Sequence, residues 1–168
     1  MIKVLFVCLG NICRSPMAEA IMNKLIKEKH LEDKILIDSC GIGGWHVGAP
    51  PDYRARNILE KYDVECEGLL ARKIRKQDGD DFDYIVGMDD DNIEDIKDVI
   101  NPNNYDKVYK LLSFTGSDKS VADPYYSGNF DRCFSDIYYG CDELLKKLIV
   151  ESNNEAKRII DSNVFYAK

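Results

Sequence analysis

A cysteine and an arginine near the start of the chain have the spacing of a loop that performs phosphate chemistry on a thiol. Cys8 ends an apolar stretch, Arg14 lies six residues later, and Ser15 and Pro16 follow directly. A loop between a strand and a helix N-terminus points successive backbone N–H groups into one concavity, and the helix dipole adds to the attraction for an anion. Because the same field favours a thiolate, Cys8 would lose its proton readily and attack phosphorus.

The residues between Cys8 and the helix are suited to surround a phosphate group. Gly10 and Asn11 tolerate a positive φ, which lets the backbone turn around the anion. The guanidinium of Arg14 matches two phosphate oxygens at once. Besides Cys8 and Arg14, the predicted phosphate-binding residues are Leu9, Gly10, Asn11, Ile12, Cys13 and Ser15.

A thiolate that displaces an alcohol or phenol from phosphorus needs an acid to protonate the leaving oxygen. Asp123 is the candidate, and Pro124 stiffens the backbone directly after it. Tyr125 and Tyr126 follow and supply aromatic surface. We therefore predict that this segment faces Cys8 at the carboxyl edge of the sheet.

The hydrophobic pattern predicts the elements that position these groups. Strands are expected at 2–8, 34–39, 82–88 and 108–114, and helices at 15–29, 52–62, 89–100 and 129–150. The segments 40–51 and 117–126 are predicted loops. Strands that alternate with helices predict a single-domain, doubly wound α/β fold: a four-stranded parallel sheet with helices on both faces and the phosphate-binding loop after strand 1.

Composition excludes several classes of protein. The 168 residues fit one domain, and the formal net charge of −7 disfavours nucleic acid as a partner. No apolar run approaches the length of a membrane span, so no membrane association is expected. Six cysteines without a Cys-x-x-Cys pair, and only two histidines, indicate reduced thiols in a cytoplasmic protein and no metal site. No cofactor is predicted.

These motifs resemble the low-molecular-weight protein tyrosine phosphatases. The opening of that family stands unbroken at residues 7–20, VCLGNICRSPMAEA, and further matches follow in order at 50–54, 71–74, 82–85, 88–89 and 123–126. The resemblance covers residues 1–149, which implies one phosphatase domain there. Residues 150–168 form a C-terminal extension, for which three alternatives are open: it continues the last helix, it is disordered, or it docks. The residues that would dock are Ile159, Ile160, Val164 and Phe165.

The resemblance implies a role for each site residue. Cys8 would be the nucleophile, Arg14 the phosphate clamp, and Asp123 the general acid and then the general base for water. By the same resemblance, Asn11 and Ser39 would brace the loop through hydrogen bonds, Ser15 would stabilise the thiolate, and Asp89 would hold the loop and its arginine. Trp45, Tyr125 and Tyr126 would form the aromatic walls of a slot that accepts phosphotyrosine and other aryl phosphates.

Besides the C-terminal extension, one departure from the family pattern lies near the phosphate loop. Many family members carry a histidine just before the Ala-Arg segment, whereas this chain has Gly68, Leu69 and Leu70 before Ala71, so weaker bracing of the loop is expected. Cys13, in turn, is expected from the family to form a reversible disulfide with Cys8 that protects the nucleophile from over-oxidation, although a loop thiol without a redox role stays an alternative.

Two other functions remain open. A protein-arginine phosphatase of the same superfamily would use the same loop, but those proteins favour threonine where this chain has Ile12. A non-catalytic phosphate-binding or phosphocarrier module would need the loop but not Asp123. Under the main interpretation, the partners are phosphotyrosine-containing proteins, and the chain is a monomer or a weak homodimer.

Overall fold

The computed structural model describes the backbone of residues 1–167 and the side chains of residues 1–164. Four parallel strands form one sheet in the order β2-β1-β3-β4, and their bounds are β1 Ile2–Cys8, β2 Ile35–Gly41, β3 Tyr84–Gly87 and β4 Val108–Lys110. The helices are α1 Arg14–Glu28, α2 Tyr53–Lys61, α3 Asp78–Asp81, α4 Asp90–Val99, α5 Pro124–Ser127 and α6 Phe130–Ala167. Two 3-10 segments, Pro102–Lys107 and Leu111–Thr115, flank β4.

The central strand β1 is buried on both faces, which explains its nearly continuous apolar sequence. Val4 and Phe6 belong to the larger core, which includes residues of α1, α2 and α6. Leu5 and Val7 belong to a smaller core on the opposite face, which includes Ile96 of α4. The predicted doubly wound α/β sheet with helices on both faces is therefore confirmed.

The order of the strands places the end of β1 at a switch point of the sheet. β1 pairs with β2 on one side and with β3 on the other, so Cys8 lies opposite Gly41 while Val7 lies opposite Gly87. In parallel α/β sheets, ligands bind outside the carboxyl ends of the strands at such a point. The loop after β1 and the first residues after β3 therefore open into the same crevice.

The fourth strand is shorter than predicted. Only Val108–Lys110 pair with β3, and Leu111–Thr115 turn into a 3-10 helix instead of extending the strand to residue 114. The reason is burial: Leu111 leaves the sheet to pack on α6, where a Cβ on Gly140 would lie 2.5 Å from its side chain. The apolar character that suggested a longer strand belongs to a buried turn.

The last helix is longer than the predicted 129–150. α6 continues without a break to Ala167, and every side chain from 153 to 164 is exposed. Ile159, Ile160 and Val164 therefore do not dock on the domain, and the side chain of Phe165 lies outside the described residues. Within the described part of the chain, no helix combines the length and the apolar character that crossing a membrane requires.

Candidate active site

The loop after β1 wraps around a single concavity. Cys8 is buried at the carboxyl end of the strand, and α1 begins at Arg14. Asn11 has a φ of 58°, the left-handed conformation that asparagine adopts more readily than most residues. This turn directs the chain from the strand back toward the N-terminus of α1, where backbone N–H groups and the helix dipole favour an anion.

A cavity of about 250 Å³ opens above Cys8. Ten of the predicted site residues line it: Cys8, Leu9, Gly10, Ile12, Cys13, Arg14, Trp45, Asp123, Tyr125 and Tyr126. His46, which was not among the predicted site residues, lines it as well. The four remaining predicted residues lie outside the cavity. Ser15 is hydrogen-bonded to Cys8, Asp89 to Arg14, and Asn11 to both Ser15 and Ser39.

Arg14 is held by three acceptors although its side chain is only 2% exposed. Its Nη1 donates to Asp89 Oδ2 at 2.6 Å and to the carbonyl oxygen of Val121 at 2.9 Å. Its Nη2 donates to Asp123 Oδ2 at 3.4 Å. Burial alone would lower the pKa of Arg14, but the negative charge of Cys8 and the bond to Asp89 raise it above its ordinary value, so the guanidinium stays charged.

A hydrogen-bond network behind the loop ends on the Cys8 sulfur. The backbone N–H of Arg72 donates to Asn11 Oδ1 at 3.0 Å, which fixes the orientation of the Asn11 amide. Asn11 Nδ2 then donates to Ser15 Oγ at 2.7 Å and to Ser39 Oγ at 3.0 Å. Because both serine hydroxyls accept from the amide, each is left to donate its own proton elsewhere.

For Ser15 the nearer acceptor is Cys8 Sγ at 3.0 Å, whereas the carbonyl oxygen of Cys40 lies at 3.4 Å. A hydroxyl proton directed at the sulfur stabilises the thiolate over the thiol. For Ser39 the acceptor is Glu19 Oε1 at 2.6 Å. The network therefore runs from the carboxyl group of Glu19 to the sulfur of Cys8.

Glu19 is the main residue of this network that sequence reasoning missed. It lies four residues after Ser15, on the buried side of α1, and burial raises its pKa to about 7. The available signal was an acidic residue between two alanines on a helix face that must pack against the sheet. Near the place where many family members have a histidine, the backbone N–H of Arg72 contacts Asn11, and the weaker bracing of the loop stays a prediction.

Asp123 reaches the cavity from a short helical turn, where sequence predicted a plain loop. It caps α5, and its Oδ1 accepts the backbone N–H of Tyr125 at 3.0 Å. The segment is tied to the sheet because Val121 N–H donates to the carbonyl oxygen of Met88 at 2.9 Å. Capping leaves Asp123 Oδ2 facing Arg14, where a carboxyl group would meet the leaving oxygen of a bound phosphate ester.

Aromatic side chains form the mouth of the cavity. Trp45 is 70% exposed and lies against Gly43, where an added Cβ would approach its ring to 1.8 Å. Tyr125 and Tyr126 meet edge to face with centroids 5.4 Å apart. The guanidinium of Arg54 lies 5.6 Å from the centroid of the Tyr125 ring and so connects α2 to this wall.

Comparison with known proteins decides the family. A family model described as "Low molecular weight phosphotyrosine protein phosphatase" matches residues 3–154. The chain belongs to this family. A relative named low molecular weight protein-tyrosine-phosphatase YfkJ, from Bacillus subtilis, is 49% identical over 150 residues, which are 88% of this chain and 96% of the relative. PtpA of Staphylococcus epidermidis, which carries the same family name, is 44% identical and matches over 91% of this chain and 97% of its own length.

Solved structures agree with the sequence relatives. The crystal structure of YfkJ superposes with a TM-score of 0.87 at 48% identity and covers 90% of this chain and 96% of that one. A structure described as Drosophila arginine phosphatase superposes with a TM-score of 0.78 at 36% identity, over 87% of this chain and 97% of its own. The chain is thus a phosphatase of the low-molecular-weight tyrosine phosphatase family.

Proposed function

We propose that this phosphatase hydrolyses phosphotyrosine and other aryl phosphates through a phosphocysteine intermediate on Cys8. The observation that carries the proposal is the meeting of Cys8, Arg14 and Asp123 in one cavity with aromatic walls. The three side chains come from different parts of the chain, and each has the chemistry that one step of the reaction requires. Family membership supports the reaction class, and the geometry supports the assignment of roles.

In the first step, the phosphate dianion enters the loop and binds the backbone N–H groups of residues 9–14 and the guanidinium of Arg14. Arg14 exchanges its long contact with Asp123 for the phosphate while it keeps Asp89. The loss of this cationic partner and the approach of an anion both favour the protonated form of Asp123. The acid is therefore prepared by binding of the substrate.

In the second step, the Cys8 sulfur forms a bond to phosphorus while the bond from phosphorus to the phenolic oxygen breaks. Asp123 gives its proton to that oxygen, and tyrosine leaves. Water then attacks the phosphocysteine, Asp123 takes a proton from the water, and the sulfur departs as a thiolate. Ser15 stabilises this thiolate in both directions through the contact at 3.0 Å.

The walls of the cavity favour a tyrosine over a shorter side chain. Trp45 and Tyr126 extend the cavity outward, so a phosphate at Cys8 must be carried on a long and flat group. Protein-arginine phosphatase activity is the second candidate, because the arginine phosphatase from Drosophila shares the fold at 36% identity. Ile12 lines the cavity as an apolar group, and it offers no hydroxyl to a phosphoguanidinium.

A third candidate, a phosphate-binding or phosphocarrier module, is disfavoured by Asp123. The Asp123 carboxylate faces the guanidinium of Arg14 and would repel a phosphate bound there, so it does not help a module that only binds phosphate. An acid at this place has a use only where an oxygen must be protonated and a water activated. No cofactor enters the proposed steps.

Cys13 lines the same cavity as Cys8, which supports a redox role. Burial raises the pKa of Cys13 to about 12, so Cys13 stays a thiol and Cys8 reacts with oxidants first. Hydrogen peroxide transfers one oxygen to the Cys8 thiolate to form a sulfenic acid. The sulfur of Cys13 then attacks that sulfur, water leaves, and a disulfide forms that thiols reduce again.

The setting of the reaction follows from the same proposal. The substrates are phosphotyrosine-containing proteins, with neither nucleic acid nor a membrane as partner, and the chain acts as a monomer or weak homodimer. The free state of all six cysteines supports a reducing, cytoplasmic location. Residues 1–149 form the phosphatase domain, and residues 150–168 are an extension that the reaction does not need.

The test is phosphate release without added metal from two peptides of equal sequence, one with phosphotyrosine and one with phosphoarginine. Cys8→Ser serves as the blank. Release from the tyrosine peptide that the blank lacks is the expected result. Selective release from the arginine peptide would keep the mechanism and replace the substrate class, whereas binding of phosphate without release from either would support the binding module.

A further inference from the structure

The segment that leads to Asp123 is packed loosely on the domain. Of residues 113–123, only Val121 is buried, and the side chains from 118 to 120 are exposed. Segments with few buried apolar contacts open and move more readily than the core of a protein. The place that Asp123 occupies at the cavity therefore depends on the few polar contacts that hold this segment.

Lys110 supplies one of these contacts from outside the cavity. It is the last residue of β4, and its side chain is only 12% exposed. Its Nζ donates to the carbonyl oxygen of Asp118 at 2.5 Å and to Oδ1 of Asp90, the first residue of α4, at 2.8 Å. An ammonium group that is largely removed from water needs such acceptors. Lys110 thus connects the segment before Asp123 to the start of α4.

This contact complements the bonds of Val121. The backbone of Val121 donates to Met88 and accepts from Arg14, two residues before Asp123. A segment attached at Val121 alone could pivot about that residue. The bond from Lys110 to Asp118 attaches it at a second place, three residues earlier, and so fixes the direction in which the chain reaches Asp123. Direction matters because a displacement of about 1 Å at a catalytic group can cost about 100-fold in rate.

We infer that Lys110 is a positioning residue that holds the segment from Asp118 to Asp123 so that the Asp123 carboxyl group meets the leaving oxygen. Lys110 is not among the residues that line the cavity, so it acts through this segment and does not contact the substrate. The inference rests on the proposed function, because it takes Asp123 as the acid.

The experiment compares kcat/KM of Lys110→Met for two aryl phosphates that differ in their need for an acid. Phenolate leaves poorly without a proton, whereas 4-nitrophenolate leaves readily. Methionine keeps the apolar stem of the side chain and removes the ammonium group. We expect kcat/KM to fall by roughly 5-fold to 20-fold for phenyl phosphate and by less than about twofold for 4-nitrophenyl phosphate. Lys110→Arg retains the donors and should restore the value for phenyl phosphate to within about twofold.

Lys107→Met is the matched control for a purely structural effect. Lys107 directly precedes β4, and its Nζ donates to the carbonyl oxygen of Gly79 at 2.8 Å, which is a bond of the same kind with no connection to the segment of Asp123. Urea unfolding should show a similar loss of stability in Lys107→Met and Lys110→Met. The ratio of the two kcat/KM values should change only in Lys110→Met.

Asp90→Ala tests the same inference without altering the lysine. Asp90 is 84% exposed, so its replacement should not prevent folding, and it removes one of the two acceptors of Lys110. We expect a smaller loss of about twofold to fivefold, again selective for phenyl phosphate. If Lys110→Met does not fold, an unchanged ratio in Asp90→Ala would overturn the inference.

Asp123→Asn separates this inference from the proposed function. It should show a larger loss of kcat/KM that is selective for phenyl phosphate. With that result in hand, an equal loss for both substrates in Lys110→Met, or no loss, would overturn the role of Lys110 alone. Absence of a selective loss in Asp123→Asn would instead contradict the acid role of Asp123 in the proposed function.

Discussion

Arg14 and Asp89 form an ion pair of 2.6 Å between Nη1 and Oδ2 that connects the phosphate loop to the end of β3. Asp89 is itself fixed, because its Oδ1 accepts the backbone N–H of Asn92 at 2.7 Å and so caps α4. The guanidinium of Arg14 is thus held at the end of β3 by a carboxylate whose orientation is fixed. This arrangement orients Arg14 toward the cavity before any substrate arrives, which lowers the cost of ordering it on binding.

Asp89→Asn should lower kcat/KM for an aryl phosphate by about 10-fold to 100-fold, because the amide cannot balance the buried charge of Arg14. Inorganic phosphate should also inhibit the variant more weakly. The control is Asp91→Asn, an exposed position in the first turn of the same helix, which should leave both constants unchanged. Kinetics of Asp89→Asn equal to those of the unaltered chain would show that Val121 alone suffices to hold the guanidinium.

Gly43→Ala should displace the indole of Trp45, since the new Cβ would lie 1.8 to 2.3 Å from three ring atoms. The φ of Gly43 is not in the positive range, so the change acts on the ring rather than on backbone strain. We expect kcat/KM for aryl phosphates to fall by roughly 5-fold to 20-fold through a higher KM, as contact with one aromatic wall is lost.

Gly44→Ala is the matched control for this change, because its Cβ would meet only ordinary contacts, the nearest with Lys73 at 3.5 Å. Steady-state kinetics with an aryl phosphate and a short alkyl phosphate separate the effects. A loss in Gly43→Ala of equal size for both substrates would argue that Trp45 does not contact the aryl group.

Glu19 also makes the stability of the fold depend on pH. Burial raises its pKa from 4.5 to about 7, so between these values the folded chain retains a proton that the unfolded chain releases. Stability should therefore be highest below pH 4.5 with respect to this group and should fall as pH rises to 7, by roughly 3 kcal/mol. Glu19→Gln lacks this loss.

Urea unfolding at pH 5 and pH 8 measures the effect. The free energy of unfolding of Glu19→Gln, relative to the unaltered chain, should be higher at pH 8 than at pH 5 by about 2 to 3 kcal/mol. Glu28→Gln should show no such difference, because that carboxyl group is exposed in the folded chain. A pH-independent difference for Glu19→Gln would mean that Glu19 is ionised in the folded state throughout.

Removal of residues 153–168 should leave phosphatase activity and the melting temperature nearly unchanged, because the side chains from 153 to 164 are exposed. The truncated chain still contains Glu151, whose carboxylate accepts the hydroxyl of Tyr84. Truncation after Lys147 is the contrasting variant, since it removes the fully buried Leu148 and should cost about 2 to 5 kcal/mol. A large loss of activity after removal of residues 153–168 would contradict the prediction that the extension is dispensable.

The positions of Cys8, Arg14 and Asp123 could be predicted because their chemistry depends on where strands end. Continuous β-branched and apolar residues indicate a buried parallel strand, and the groups that follow such strands meet at one edge of the sheet. Trp45 was accessible only through the family resemblance, whereas Tyr125 was expected at the cavity because it follows Asp123. No periodicity in the sequence indicates which loops fold over the cavity.

The hydrogen-bond partner of Glu19 and the length of β4 were not predictable from local pattern for a shared reason. Each depends on a contact with an element far along the chain: Glu19 on Ser39 of β2, and Leu111 on Gly140 of α6. Tertiary packing selects between strand and turn at Leu111 and makes a helical acid a buried partner. The residues around Glu19 and around Leu111 do not indicate which distant residue each will contact.

The central claim is the covalent bond between the Cys8 sulfur and phosphorus, and acid-quench mass spectrometry during turnover of an aryl phosphate tests it most directly. The account predicts one added phosphoryl group on the peptide that contains Cys8, absent from Cys8→Ser and more abundant in Asp123→Asn, where water is poorly activated. Release of phosphate at the full rate with no label on Cys8, or with the label on another residue, would contradict it.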